Sequence, residues 1–252
     1  MIELPQRIAR RPLFTADWRN AAFIHFTINP GILRPFVPLE LDLLEDTAWV
    51  SLVAFTQVNL RPAIGGRIGQ LLAAPLATHE FLNLRTYVRH GGTQGIYFLA
   101  EWIPNRLAAL IGPRTYGLPY RLGRLSYRFD FEQGRVDAAV RAQGAVRFRG
   151  AFDIGTAVPA IEHSREAFLL ERYVAFTYRN GRLRRFDVAH APWPQRRLDA
   201  QVMDLSLLAS VGAWTNSLRF IGAHVSRGVQ GVTISAPQAV WPMERPDVPS
   251  TA

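Results

Sequence analysis

The chain has 252 residues, 48% of them hydrophobic, with no cysteine and no lysine, so its 29 basic residues are all arginine and, against 20 acids, leave a net charge of +9. Without cysteine there are no disulfides, thiolate nucleophiles or cysteine zinc ligands. Without lysine there is no side-chain amine for a Schiff base, for pyridoxal phosphate attachment or for a phosphate-binding loop, and only the terminal amine could substitute.

Residues 1–14 read as a basic extended arm interrupted by Pro5 and Pro12. Trp18 to Ile28 has strand composition, and Asn29-Pro30 then supplies an N-cap and a first-turn proline for a helix that Pro35 and Pro38 keep short. Thr47 to Leu60 is a long, buried strand, and residues 61–78 form a Gly/Pro-rich loop with a helical turn. His79 to Gly92, HEFLNLRTYVRHGG, is a strand with two alternating faces: Glu80, Leu82, Leu84, Thr86 and Val88 on one, Phe81, Asn83, Arg85, Tyr87 and Arg89 on the other. GGTQG turns the chain and IYFLAEW returns it as a hairpin. Asn105 caps a helix that ends near Pro113.

Further strands are expected in LSYRFDF, RVDAAVRAQ and AVRFRGAFDIG, and a short helix opens at Ser164. Asn180-Gly181 marks a hairpin of type I′ between YVAFTYR and RLRRFDVAHA. LDAQVMDL is extended, MDLSLLASVGAW contains a brief helix, GVTISAPQAVW closes the β content, and residues 243–252 form a tail. With no repeat, linker or break in composition, the expectation is one domain over 1–252. It is mainly β with a few short helices, an antiparallel sheet closed or nearly closed as a barrel.

The six histidines show no HxH or HExxH pairing and no i, i+4 spacing, so no metal site is expected. There is no G-x-S-x-G elbow, dinucleotide loop or Walker motif. The arginines form no run of about five like charges, so nucleic acid is a minor partner, and an arginine-for-lysine coding bias accounts for the charge. No apolar run reaches the ~20 residues that span a bilayer, and the N-terminus lacks a signal-peptide core, so the expected compartment is the cytoplasm. Self-association as a homo-oligomer is compatible with the composition. The residues best able to do chemistry are Glu80, Asn83, Arg85, Tyr87, Arg114, Tyr116, Tyr120 and Arg121. Arginine clamps carboxylates, tyrosine donates to a developing oxyanion, and a glutamate among apolar neighbours becomes a proton donor.

FLNLRTYVRHGGTQGIYFLAEW, RTYGLPYR, LLERYVAF and HAPWP, in order between Trp18 and Pro194, resemble the YqjF-like family of bacterial proteins. That family is grouped with the acetoacetate-decarboxylase-like superfamily, and the resemblance implies a β-rich fold around a small polar-apolar pocket. Compared with true acetoacetate decarboxylases, WRNAAFIHFTINPGILRPFVP is similar to their N-terminal strand and short helix, placing Arg19 at a substrate-binding arginine. Ser51 falls where they keep one active-site glutamate and Glu80 where they keep the second. LPYRLG is similar to their Y-P-K-K-L-G, with Tyr120 at the Schiff-base lysine and Arg121 at the neighbouring lysine.

The resemblance therefore implies a pocket without its nucleophile. One reading is a lyase, isomerase or hydratase acting on a small oxo or hydroxy acid without cofactor, with Glu80 and Tyr120 catalytic and Arg19, Arg121, Arg114, Tyr116 and Ser51 binding substrate. On strand alternation, Asn83, Arg85 and Tyr87 then brace the sheet. A second reading is a non-catalytic protein that binds a metabolite bearing a carboxylate or carbonyl, and a third is nucleic-acid binding. Borohydride treatment in the presence of a β-keto acid should give no adduct on any side chain by mass spectrometry, and a trapped side-chain adduct would contradict this chemistry.

Overall fold

The structure, a computed structural model, describes residues 11–240. Its strands are β1 (Pro12–Ile28), β2 (Glu40–Leu41), β3 (Ala48–Pro62), β4 (His79–His90), β5 (Thr93–Ile103), β6 (Tyr120–Leu122) and β7 (Arg124–Asp130). They continue as β8 (Arg135–Ala142), β9 (Gly144–Ala151), β10 (Val174–Arg179), β11 (Arg182–Ala189), β12 (Gln195–Asp204), β13 (Arg219–Ser235) and β14 (Gln238–Val240). The α-helices are short: α1 (Pro30–Leu33), α2 (Gly66–Ala73), α3 (Arg106–Thr115) and α4 (Arg165–Leu170). No helix among the described residues is long and apolar enough to cross a membrane.

Local chemistry sets the boundaries. Asn29, Asn105 and Ser164 each cap a helix, their side chains accepting from the backbone N–H of Gly31, Ala108 and Ala167. Gly91-Gly92 and Asn180-Gly181 turn with positive φ at both residues, as two-residue hairpins require. The first of these turns is tighter than the GGTQG of the sequence, because Thr93 and Gln94 already pair with His90 and Arg89. The expected arm over 1–14 is also shorter: Pro12 to Phe14 belong to β1 and pair with β13, while 1–10 and the tail at 243–252 lie outside the described residues.

The hydrogen-bonded path β13–β1–β3–β4–β5–β10–β11 returns on itself, because β11 pairs with β13 at Val188↔Ile234 and Ala189↔Thr233. β12, β9, β8 and β7 continue from the other part of β13 as an antiparallel extension. The structure is thus a mainly β fold with few short helices, in which β10 and β6 join β5 in parallel.

Strands β1, β3 and β4 are largely buried on both faces; AAFI of β1 and AWVSLVAF of β3 are accordingly near-continuous apolar runs, while β4 buries polar side chains among apolar ones. One face, with Ala22, Ile24, Leu52, Leu82 and Leu84, packs in a core that includes Val136, Ala138 and Phe148 of the extension. The other face, with Phe23, Val53, Phe55, Phe81 and Tyr87, packs with Leu170 of α4, Phe186 of β11 and Trp193. The second core holds a cavity. Gly228, at φ 118°, lets β13 approach β1, since a Cβ there would lie 2.0 Å from the carbonyl oxygen of Trp18.

A side-chain chain ties these strands to α4. The Tyr87 hydroxyl donates to the Leu169 carbonyl (2.9 Å), so it accepts from Ser51 Oγ at 2.7 Å. Ser51 in turn accepts from His25 Nδ1 (2.8 Å), which leaves His25 Nε2 to accept from His224 Nδ1 (3.0 Å). His25 is fully buried, and burial, followed by the charges of His224 and Arg85, lowers its pKa well below 6.5. Burial also lowers His224 and holds His79 and His190 at about 4.

For these four groups the folded pKa lies below that of the unfolded chain. Their stabilisation is complete above pH 6.5 and is lost as pH falls, because the unfolded chain takes up protons that the fold refuses. His79 and His190 alone account for roughly 3 kcal/mol each between pH 6.5 and 4. Glu101, a carboxyl raised well above 4.5, acts in the opposite sense but is one group against four. The melting temperature should therefore drop steeply between pH 6.5 and 4, and a flat profile over that window would contradict the neutral, buried histidines.

Candidate functional site

Strand register places one row of side chains across the inner face of the sheet. Phe23 of β1 pairs with Val53 of β3, Val53 with Asn83 of β4, Asn83 with Glu101 of β5, and Glu101 with Tyr120 of β6. All five line a cavity of about 480 Å³. The next row along the strands is His25, Ser51, Arg85 and Phe98. Of these, Arg85 and Phe98 reach the cavity. Arg172 and Leu170, just after and at the end of α4, enter from one side, and His190 and Trp193 from the segment after β11.

Most of the wall is aromatic or aliphatic, yet it carries buried polar atoms with no protein partner. Trp18 Nε1, both ring nitrogens of His79, Asn83 Oδ1, Arg85 Nε, Glu101 Oε2 and Arg172 Nη2 have no hydrogen-bond partner among the described residues. All six residues line this cavity. Folded chains pair the great majority of such groups, so their concentration here marks a place where something other than the chain satisfies them.

The two arginines differ. Arg172 donates from Nη1 to Asp42 Oδ2 (2.8 Å) and from Nε to the Phe168 carbonyl (2.8 Å). Arg85, 8% exposed, donates from Nη2 to the Leu169 carbonyl (3.0 Å) and lies 5.7 Å from the Phe23 ring centroid. It has no carboxylate partner among the described residues.

Glu101 is 3% exposed, and burial lifts its carboxyl well above the usual range. Tyr120 is pushed up by burial first, then by Glu101 and Tyr116, so it remains a hydroxyl donor. Gly112 makes room for it: a Cβ there would lie 2.3 Å from the Tyr120 ring. His190 Nδ1 donates to the Ala191 carbonyl (2.7 Å), leaving Nε2 as the acceptor of a neutral ring.

The structure brings Tyr120 and Tyr116 into the cavity and leaves the other expected site residues outside its lining. Tyr116 is already engaged, its hydroxyl donating to the Ser235 carbonyl at 2.9 Å. Glu80 lies on the opposite face of β4, paired in register with Thr56 and close enough for its charge to raise Tyr127. Arg19 is exposed on β1, next to the inward Trp18. Ser51 is consumed by the His25–Tyr87 chain. Arg114 is exposed and donates to the Leu110 carbonyl within its own helix. Arg121, one residue after Tyr120 and so on the other face, donates to Ser210 and lies over Trp102.

Arg85 and Tyr87 both brace α4 through the Leu169 carbonyl, as expected, but Asn83 and Arg85 also line the cavity, which was not expected. Glu101, His79, Arg172 and His190 also line the cavity and were not among the expected site residues. Glu101 carried a signal, a lone acid inside the apolar run IYFLAEW. Among the described residues no group of three or more His, Asp or Glu side chains could hold a metal ion.

The family pattern described as "Uncharacterized conserved protein" DUF2071 matches residues 15–230. The chain is 32% identical over 189 residues to the uncharacterized protein YqjF of Bacillus subtilis (strain 168), covering 73% of this chain and 76% of that one. Among solved structures, the enduracididine biosynthesis enzyme MppR complexed with pyruvate is similar, with TM-score 0.65, 14% identity and 92% of each chain covered. So is an acetoacetate decarboxylase-like enzyme from Sphingomonas wittichii RW1, with TM-score 0.65, 12% identity and coverage of 92% of this chain and 94% of that one. Acetoacetate decarboxylase from Legionella pneumophila gives TM-score 0.63 at 9% identity, covering 95% of this chain and 92% of that one. At such identities the likeness to the solved structures is one of fold, while the sequence matches establish that the chain belongs to the DUF2071 family.

Proposed function

We propose that the cavity binds a carboxylic acid carrying a carbonyl or hydroxyl group and that Glu101 moves a proton on it, with no covalent bond to the protein. The observation that carries this reading is Arg85: a buried guanidinium with an unpartnered Nε–H, facing a cavity and lacking a carboxylate of its own. A buried, uncompensated charge is costly, and a ligand carboxylate supplies the missing partner. Arg172 Nη2 offers a second donor to the same group. That MppR, a relative in fold, takes up pyruvate is in keeping with an oxo acid.

The other end of the polar row fits an oxygen that gains charge. Tyr120 and the protonated Glu101 are neighbours across β5–β6 and both can donate to it. Glu101 gives its proton to the oxygen, and the resulting carboxylate takes one from the adjacent carbon, an isomerase half-cycle. In a dehydration the same proton goes to the hydroxyl, which leaves as water, while the adjacent carbon gives up its proton to the carboxylate so formed and the C=C bond is made. His79 and His190, held near pKa 4 by burial, act at neutral pH as hydrogen-bonding groups rather than bases. A non-catalytic metabolite-binding protein would use the same arginines, and product formation separates the two.

A thermal-shift screen of oxo and hydroxy acids should find stabilising ligands. Arg85→Gln should weaken the best of them about 10- to 100-fold, the worth of a charged hydrogen bond. Glu101→Gln and Tyr120→Phe should abolish turnover while retaining binding, and Glu80→Gln should leave both unchanged. Turnover that survives Glu101→Gln and is lost in Glu80→Gln would overturn the assignment of the proton donor. Tight binding without product, in wild type and variants alike, would favour the binding protein.

A further inference from the structure

The cavity is larger than its polar groups require. An apolar cavity of about 150 Å³ accommodates benzene, whereas this one measures about 480 Å³. A small oxo acid, similar to benzene in its number of non-hydrogen atoms, would occupy roughly a third of it. The remainder is walled by Phe14, Phe55, Phe81, Phe98, Phe186 and Trp193, side chains that gain nothing from a hydrophilic occupant.

The charged part of the lining is also buried, whereas its exposed part is mostly apolar. Asn83, Arg85, Glu101 and Arg172 are 5%, 8%, 3% and 6% exposed, so none of them meets solvent outside the cavity. The lining residues that also face solvent are Leu13 of β1 and Ile111 of α3, at 41% and 38% exposure, with the exposed Thr115 beside them. The exposed rim therefore offers an occupant mostly apolar surface, and the charged partners for its head group are all buried.

We propose that the ligand is an amphiphilic carboxylic acid, bound head-inward, whose ring-bearing or branched apolar body of about ten carbons or more fills the aromatic part of the cavity. This rests on the reading of Arg85 and Arg172 as the carboxylate subsite and adds to it the class of molecule that subsite receives. The body supplies affinity through burial, and the head fixes which carbon lies beside Glu101 and Tyr120.

Calorimetric titration of the intact protein with straight-chain and ω-phenyl alkanoic acids, from acetate to dodecanoate and below their micelle concentrations, tests this. Affinity should rise about fourfold per methylene and level off once the cavity is filled. Acetate or pyruvate binding as tightly as decanoate would overturn the proposal. A second arm compares decanoate with decan-1-ol on wild type and on Arg85→Gln, whose folding is checked by its melting curve. Loss confined to decanoate supports the carboxylate subsite. A length dependence with equal effects on acid and alcohol leaves the apolar body standing and removes the carboxylate reading. A flat length series with an Arg85-dependent head does the reverse, and no binding by any member contradicts both.

Discussion

The guanidinium of Arg85 is the constraint on which the site turns. A charge taken out of water costs several kcal/mol unless something answers it. What the fold supplies is partial: one carbonyl, that of Leu169, and the face of Phe23. Asp42, the partner of Arg172, is occupied, with Oδ1 on Arg89 and Oδ2 on Arg172. Burial is the main reason that His25, His190 and Arg172 are shifted towards their neutral forms, and the charge of Arg85 adds to it in each case. An anion in the cavity would offset the Arg85 contribution, which links ligand binding to the protonation of His190 in the wall and His25 behind it.

The position of Arg85 follows from the register of β3 and β4 and from the side-chain chain behind it. Tyr87 holds the Leu169 carbonyl that Arg85 also uses, and Ser51 and His25 hold Tyr87. Two residues along β4, Asn83 carries the row that continues through Glu101 to Tyr120. The proposed carboxylate contact at Arg85 and the proposed proton donor Glu101 therefore stand on adjacent rows of one sheet, fixed by backbone pairing, with Arg172 added from the segment after α4. Such a site is built on rigid elements, and its geometry is set before any ligand arrives. The absence of lysine fits this arrangement: Tyr120 gives the cavity a hydroxyl donor where an amine would have given a nucleophile.

Much of the fold was legible because its signals are local. The Asn29, Asn105 and Ser164 caps, the Asn180-Gly181 turn and the runs of β-branched and aromatic residues each act through their nearest neighbours. β13 was only partly legible. Its first half, RFIGAHVS, is broken by glycine and histidine and becomes a strand through pairing with β1 and β12.

The site was less legible for a reason rooted in the same sheet. Alternation separates the residues of β4 into two faces, but both faces are buried, so hydrophobicity does not say which one meets the cavity. The choice fell on the face of Glu80 because of a resemblance in position, and the other face carries Asn83 and Arg85. Arg172 and His190 come from segments distant in sequence and are brought in only by tertiary structure. Glu101 is the exception, because a single acid within the apolar run IYFLAEW is a signal in the sequence itself.

A crystal structure of the protein with a bound amphiphilic carboxylate tests the central claim most directly. The account predicts the carboxylate within hydrogen-bonding distance of Arg85 Nε and Arg172 Nη2, with the body along the aromatic wall. A ligand that leaves both arginines unpartnered, or that binds outside this cavity, would contradict it.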